Sequence, residues 1–159
     1  DTTTRQMYLA PVEASISISD TVGFIRDLPH GLVAAFSATL QESVEAHLLL
    51  HVVDAANPAS FEQIMAVREV LAEIDAGEIE QILVFNKADL IEHDKAPERM
   101  RDELVHDGRA ITRIFVSAQT GEGLDGLRDL LAERYQAFAT DPAAYIPETD
   151  DPRFAHLAR

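Results

Sequence analysis

The sequence predicts an α/β fold, a doubly wound and mostly parallel sheet with helices packed on it. Two observations carry this. Apolar runs at 48–53, 82–85 and 111–116 have strand length and the near-continuous hydrophobicity of strands buried on both faces. Between them lie longer segments whose apolar residues recur at helical spacing. Strands that alternate with helices imply crossover connections, and these imply a parallel sheet.

The elements follow in order. Residues 6–10 and 14–19 read as a hairpin across Pro11, and the second arm alternates Ser15, Ser17 and Ser19 with Ile16 and Ile18. Residues 31–44 read as a helix with Leu32, Val33, Phe36 and Leu40 on one face. After the strand at 48–53, Ser60 is placed as the N-cap of a helix reaching about Ala76, with Phe61, Ile64, Val67, Val70, Leu71 and Ile74 as its stripe. The run 82–85 is the next strand. Pro97 suits the first turn of a helix over 97–106. The last strand is 111–116, and the last helix is 123–138 with Leu124, Leu127, Leu130 and Leu131 inward. From Thr140 the chain turns acidic and proline-bearing. This divides it into a domain portion, 1–139, and a linker or tail, 140–159. No internal repeat is visible.

Composition sets limits. A chain of 159 residues with a hydrophobic fraction of 47% supplies one core. It has no cysteine, so disulfides and thiolate metal sites are excluded. No apolar run approaches the ~18 residues of a membrane span. The N-terminus lacks a basic-then-apolar signal pattern. These features fit a cytoplasmic location. The net charge of −15 argues against a direct electrostatic grip on nucleic acid.

The informative residues stand at strand ends. Asn86-Lys87-Ala88-Asp89 closes the strand at 82–85. The Asp89 carboxylate can accept two hydrogen bonds from the ring N–H and exocyclic amine of guanine, a donor pair that adenine lacks. Asn86 can hold the turn, and the Lys87 stem can lie over the base. By itself this tetrapeptide also fits a plain solvated turn. Asp20-Thr21-Val22-Gly23 ends the alternating strand. There an Asp can hold Mg²⁺ through water, and Gly23 lets a backbone N–H approach a terminal phosphate. Ser117-Ala118-Gln119 follows the last strand, and a small residue at 118 lets a backbone N–H reach a purine carbonyl. The order and spacing predict loops converging on one pocket for GTP or GDP.

Other residues read more plainly. His47 and His51 are packing histidines rather than a metal pair. His30 is a contact or capping residue. Asp54 is a helix-entry residue, and Glu69, Glu73, Asp75, Glu78 and Glu80 form a solvated helix end.

At this point the chain resembles the HflX-type GTPases. The run 20–42, DTVGFIRDLPHGLVAAFSATLQE, is similar to their switch II and following helix. The stretch 48–55 is similar to their next strand, and the opening Asp1-Thr2-Thr3-Thr4-Arg5 to the tail of switch I. The resemblance spans about residues 1–135. It implies a Ras-like fold of the P-loop NTPase type, GTP hydrolysis with Mg²⁺, association with the large ribosomal subunit, and rescue or splitting of stalled ribosomes under stress.

One departure is plain. No G-x-x-x-x-G-K-[ST] loop, the phosphate cradle, occurs in these residues. In the family that loop precedes switch I, so the chain reads as the back portion of a GTP-binding domain without its first strand, P-loop and first helix. These residues alone are expected to be poorly stable and inactive. The motif order is not that of a circular permutant. Phe24 stands where many small GTPases carry a water-orienting glutamine, so no catalytic residue is assigned. Either Phe24 anchors switch II, or hydrolysis waits for a partner that orders it. The competing readings are a nucleotide-incompetent interaction module of the same fold and another ribosome-assembly GTPase.

Overall fold

The computed structural model describes residues 3–20, 46–73 and 75–140. The expected helix at 31–44, Ile74, His30, the Thr21–Gly23 motif with Phe24, and the tail from 141 onward lie outside the described residues.

The first two strands, β1 (Thr3–Leu9) and β2 (Ala14–Asp20), form the expected antiparallel hairpin. A 3-10 turn over Ala10–Val12 joins them, with Pro11 at its start and Glu13 in the left-handed region at its end. Serines alternate outward along β2, and Thr4 and Gln6 meet Ser19 and Ser17 across the strands. Cross-strand polar pairs of this kind suit a face open to water.

Among the described residues the main sheet has four strands: β3 (Leu49–Asp54), β4 (Gln81–Asn86), β5 (Arg101–His106) and β6 (Arg109–Phe115), in the order β3-β4-β6-β5. β3, β4 and β6 are parallel, and β5 is antiparallel to β6. Among the described residues β2 does not pair with β3, so the hairpin is a separate sheet.

β4 sits between two parallel neighbours, and Gln81 through Phe85 are all buried. Its side chains alternate between two cores. Leu83 and Phe85 join Val53, Ile111, Phe115 and Ile64 of helix α1 (Ser60–Glu73). Ile82 and Val84 join Ile114, Val116 and Leu130 of helix α2 (Leu124–Thr140). A run without polar alternation is what burial on both faces demands.

α1 begins one residue earlier in its capping than expected. Ser60 is already helical, Ala59 accepts the first helical bond from Gln63, and the Asn57 side chain accepts from the Ala59 N–H. Asp75, at φ 63°, ends the helix short of Ala76. The acidic stretch after it is partly engaged. Glu80 takes a hydrogen bond from Arg134 of α2, and Glu78 pairs with Arg109.

The expected helix at 97–106 is wrong. Residues Arg101–His106 are β5, with Asp102, Leu104 and His106 turned inward and Arg101, Glu103 and Val105 outward. The overlooked signal is Asp107-Gly108, both at positive φ, which closes a two-residue hairpin between His106 and Arg109.

Arg113 locks this hairpin to the sheet. It sits opposite Asp102 and donates to it from Nε at 2.7 Å and from its terminal nitrogen at 2.5 Å. Its guanidinium also lies over the rings of Phe85 and Phe115, at 5.0 and 4.8 Å. Arg113→Ala is expected to cost about 2 kcal/mol, because it strands a half-buried carboxylate and removes the cation from both rings. The cost stays below the ~3–5 kcal/mol of a fully buried pair because a third of the Asp102 side chain, 33%, meets solvent. Chemical denaturation of the intact protein measures it, and a change under about 0.5 kcal/mol would contradict this role.

The two histidines differ. His47 packs edge-on against Phe138, with ring centroids 4.5 Å apart. His51, on β3, is mostly buried, its Nδ1 has no hydrogen-bond partner among the described residues, and burial and nearby Arg68 push its pKa down to about 4. It is therefore a neutral imidazole near pH 7.

Candidate functional site

The site is built where β4 and β6 end side by side. Parallel pairing carries Phe85 alongside Phe115, so the residues that follow each strand emerge together. Main-chain bonds continue this pairing past the strands. The Val116 N–H donates to the Phe85 carbonyl at 2.9 Å, and the Ala88 N–H donates to the Val116 carbonyl at 3.0 Å.

Side chains then tie the two loops together. Asn86 Oδ1 accepts the Ala118 N–H at 3.0 Å. Ser117 Oγ donates to Asp89 Oδ1 at 2.7 Å and accepts the Thr120 N–H at 3.1 Å. Ser117 is fully buried, at 0% exposure, so its hydroxyl is a fixed post rather than a rotor. Among the described residues the second Asp89 oxygen takes no hydrogen bond, and the residue is exposed. An oriented carboxylate with an acceptor oxygen to spare is what recognition of adjacent N–H donors needs.

The turns are shaped to match. Lys87 adopts φ 66°, in the left-handed region that few residues other than glycine enter. Its Nζ donates to Asp54 Oδ2 at 2.9 Å. That bond is the main reason the Asp54 carboxyl sits below its ordinary value, and the Ala56 N–H adds to the effect. On the β6 side, Gly121 and Gly123 take φ 86° and 79°, and the Gly121 N–H closes back on the Ser117 carbonyl at 2.8 Å.

The structure brings together Asn86, Lys87, Ala88, Asp89, Ser117 and Ala118. Gln119 follows them on the exposed β6 loop. Two details differ from expectation. Asn86 does more than hold its own turn, since its amide oxygen bridges to the neighbouring loop. The Ala118 N–H is already engaged by that oxygen, so a purine carbonyl would have to share it. Asp20 is exposed at the end of β2, in the two-stranded sheet, and the three residues after it are undescribed.

Sequence reasoning undervalued Asp54. It does make the expected entry turn, accepting the Ala56 N–H at 3.0 Å, but it also holds Lys87. The available signal was its place at the end of the strand beside β4, in register with Asn86.

Among the described residues no cluster of His, Cys, Asp or Glu forms a metal cage. A cleft of about 700 Å³ lies nearby, lined by Ala55, Pro58, Phe85, Leu90, Arg113 and Phe115 among others. Asn86, Asp89 and Ala118 do not line it, so it lies apart from the joined loops. No described helix is long and apolar enough to cross a membrane.

Comparison with known proteins places these features in context. The family described as "50S ribosome-binding GTPase" matches residues 1–87. GTPase HflX of Escherichia coli (strain K12) is 51% identical over 147 residues, covering 92% of this chain and 33% of that protein. GTPase HflX of Spirochaeta thermophila is 44% identical over 136 residues, covering 86% of this chain and 31% of that protein. GTPase HflX of Chlamydia pneumoniae is 34% identical over 157 residues, covering 99% and 32%. The chain thus spans about a third of the length of these relatives. Among solved structures, a GTP-binding protein from Sulfolobus solfataricus in complex with GDP superposes with a TM-score of 0.60 at 25% identity, covering 82% of this chain and 43% of that one. The SsGBP and GDP complex superposes with a TM-score of 0.65 at 24% identity, covering 85% and 42%, a likeness of fold.

Proposed function

This chain belongs to the 50S ribosome-binding GTPase family and is of the HflX type, and we propose that in the intact protein it supplies the guanine-recognition half of a GTP-hydrolysing switch. The observation that carries this is the joined pair of loops, in which Ser117 orients Asp89 and Asn86 holds Ala118. Asp89 reads the guanine edge through two acceptor oxygens. Lys87 covers one face of the base, and Ala118 and Gln119 present backbone to its carbonyl. Rigid strand ends hold these groups before ligand arrives, which lowers the ordering cost of binding.

Asp20, with Thr21, Val22 and Gly23, serves the phosphate end of the nucleotide. A single exposed carboxylate suits Mg²⁺, which keeps several waters and takes few protein ligands. When bound, the ion neutralises charge on the phosphate oxygens. Phe24 cannot orient water by hydrogen bonding. Intrinsic hydrolysis is therefore slow, and a partner that orders the following segment accelerates it. The family description and the run 20–42 support the large ribosomal subunit as that partner. Its physiological use would be the rescue or splitting of stalled ribosomes, in the cytoplasm. The acidity of this chain leaves RNA contacts to other parts of the protein.

The test is GTP hydrolysis by the intact protein with and without purified large subunits. The expected result is slow basal turnover that rises at least about tenfold with subunits, within the range that partner-supplied groups give. Fast basal turnover indifferent to subunits would overturn the partner-dependent mechanism.

A further inference from the structure

We propose that Asp54 is a positioning residue for nucleotide binding: it clamps the Lys87 ammonium so that the lysine stem is laid across the base site before the base arrives. The proposal rests on the guanine-pocket reading above and assigns a role to a residue on a different strand.

The geometry has two fixed ends. Asp54 and Asn86 are direct partners in the parallel register of β3 and β4. The Ala55 N–H donates to the Asn86 carbonyl at 2.8 Å, so the two strand ends stay joined one step further. Lys87 then leaves the sheet at φ 66°, which sets the direction of its side chain. Its far end is held by Asp54 Oδ2 at 2.9 Å.

The carboxylate is itself oriented. Its Oδ1 accepts the Ala56 N–H at 3.0 Å, and the Asp54 carbonyl accepts the Asn57 N–H at 3.2 Å. Lysine has a flexible four-carbon stem with large rotamer entropy. Fixing the stem in the free protein moves that cost out of the binding step. The pair is exposed, with 52% and 33% of the two side chains in solvent, so it contributes little to folding. Orientation is then the use left for it.

Asp54→Asn keeps an acceptor for the Ala56 N–H and removes the charge that holds Lys87. The experiment is release of N-methylanthraniloyl-GDP from the intact protein, followed by stopped flow. Asp54→Asn is expected to speed release about three- to fivefold, the worth of an exposed ion pair. The same change in a Lys87→Met background is expected to add nothing, because the group it acts through is gone. A Asp54→Asn protein with unchanged release, or one with the same acceleration in both backgrounds, overturns the positioning role.

A second measurement needs no nucleotide. In the carboxyl NMR titration of the free protein, Lys87→Met is expected to raise the Asp54 pKa toward its ordinary value. An unchanged titration overturns the clamp itself. A wild-type protein that keeps the clamp but binds no guanine nucleotide overturns the pocket reading instead, and the positioning role with it.

Discussion

Alanine at position 123 is expected to destabilise the protein by about 3 kcal/mol and to disrupt the Ser117–Ala118 loop. Gly123 sits at φ 79°, where a side chain costs roughly 1–2 kcal/mol of backbone strain. Space adds a second cost. A Cβ there would lie 2.2 Å from the Phe115 carbonyl oxygen and 3.1 Å from Val116 Cα. Both neighbours are backbone at the end of β6, a strand paired on both sides, so neither can move aside cheaply. Gly123 also accepts the first helical bond of α2 from the Leu127 N–H at 3.0 Å. The clash would therefore push the helix start away from the strand end, and the loop between them carries Ser117 and Ala118.

Gly121 is the internal control. Its φ of 86° is as unfavourable, but a Cβ there meets nothing within 4 Å. Gly121→Ala should cost only the backbone strain, about 1 kcal/mol. Denaturation midpoints of the two variants in the intact protein measure the difference. Equal losses would show that contact with the β6 backbone does not explain the glycine at 123.

Much of the architecture is legible in the sequence because burial dictates pattern. The run at 82–85 lacks polar alternation since β4 feeds two cores at once, with Leu83 and Phe85 toward α1 and Ile82 and Val84 toward α2. The stripe of α1 and the leucines of α2 follow from the same two faces. The β5 segment is illegible to the same reasoning. Arg101, Glu103 and Val105 face water and Asp102 faces an arginine, so no apolar periodicity marks it as a strand. Pro97 suits the first turn of a helix, which points away from a strand. Only the Asp107-Gly108 turn announced the hairpin.

The candidate site divides in a similar way. Motif spacing singled out Asn86, Asp89, Ser117 and Ala118, and the structure sets them on two adjoining strand-end loops. Spacing says nothing of how they hold one another. That Asn86 takes the Ala118 N–H, or that Asp54 reaches Lys87 across 33 positions of chain, depends on which strands lie side by side. A linear sequence does not state strand order.

The largest functional effect is expected at Asp89. One of its oxygens is fixed by Ser117, and among the described residues the other takes no hydrogen bond. In the proposed complex, guanine presents two N–H donors to this carboxylate. Replacing the acid with an amide puts an NH₂ where an acceptor was, so a donor meets a donor and a polar group goes unpaired in the complex. A site built to hydrogen-bond a particular group rejects an analogue that cannot pair by large factors. Asp89→Asn in the intact protein should weaken GDP binding by at least about a hundredfold, near 3 kcal/mol. Xanthine carries a carbonyl in place of the exocyclic amine, and the new amide can donate to it. The variant should therefore gain affinity for XDP. Parallel titrations of wild-type and Asp89→Asn protein with GDP and XDP put the guanine pocket to the proof. The account predicts that the preferred base switches from guanine to xanthine while the melting temperature stays within a few degrees. A variant that binds GDP as tightly as the wild type would contradict it, because the base would then be read elsewhere.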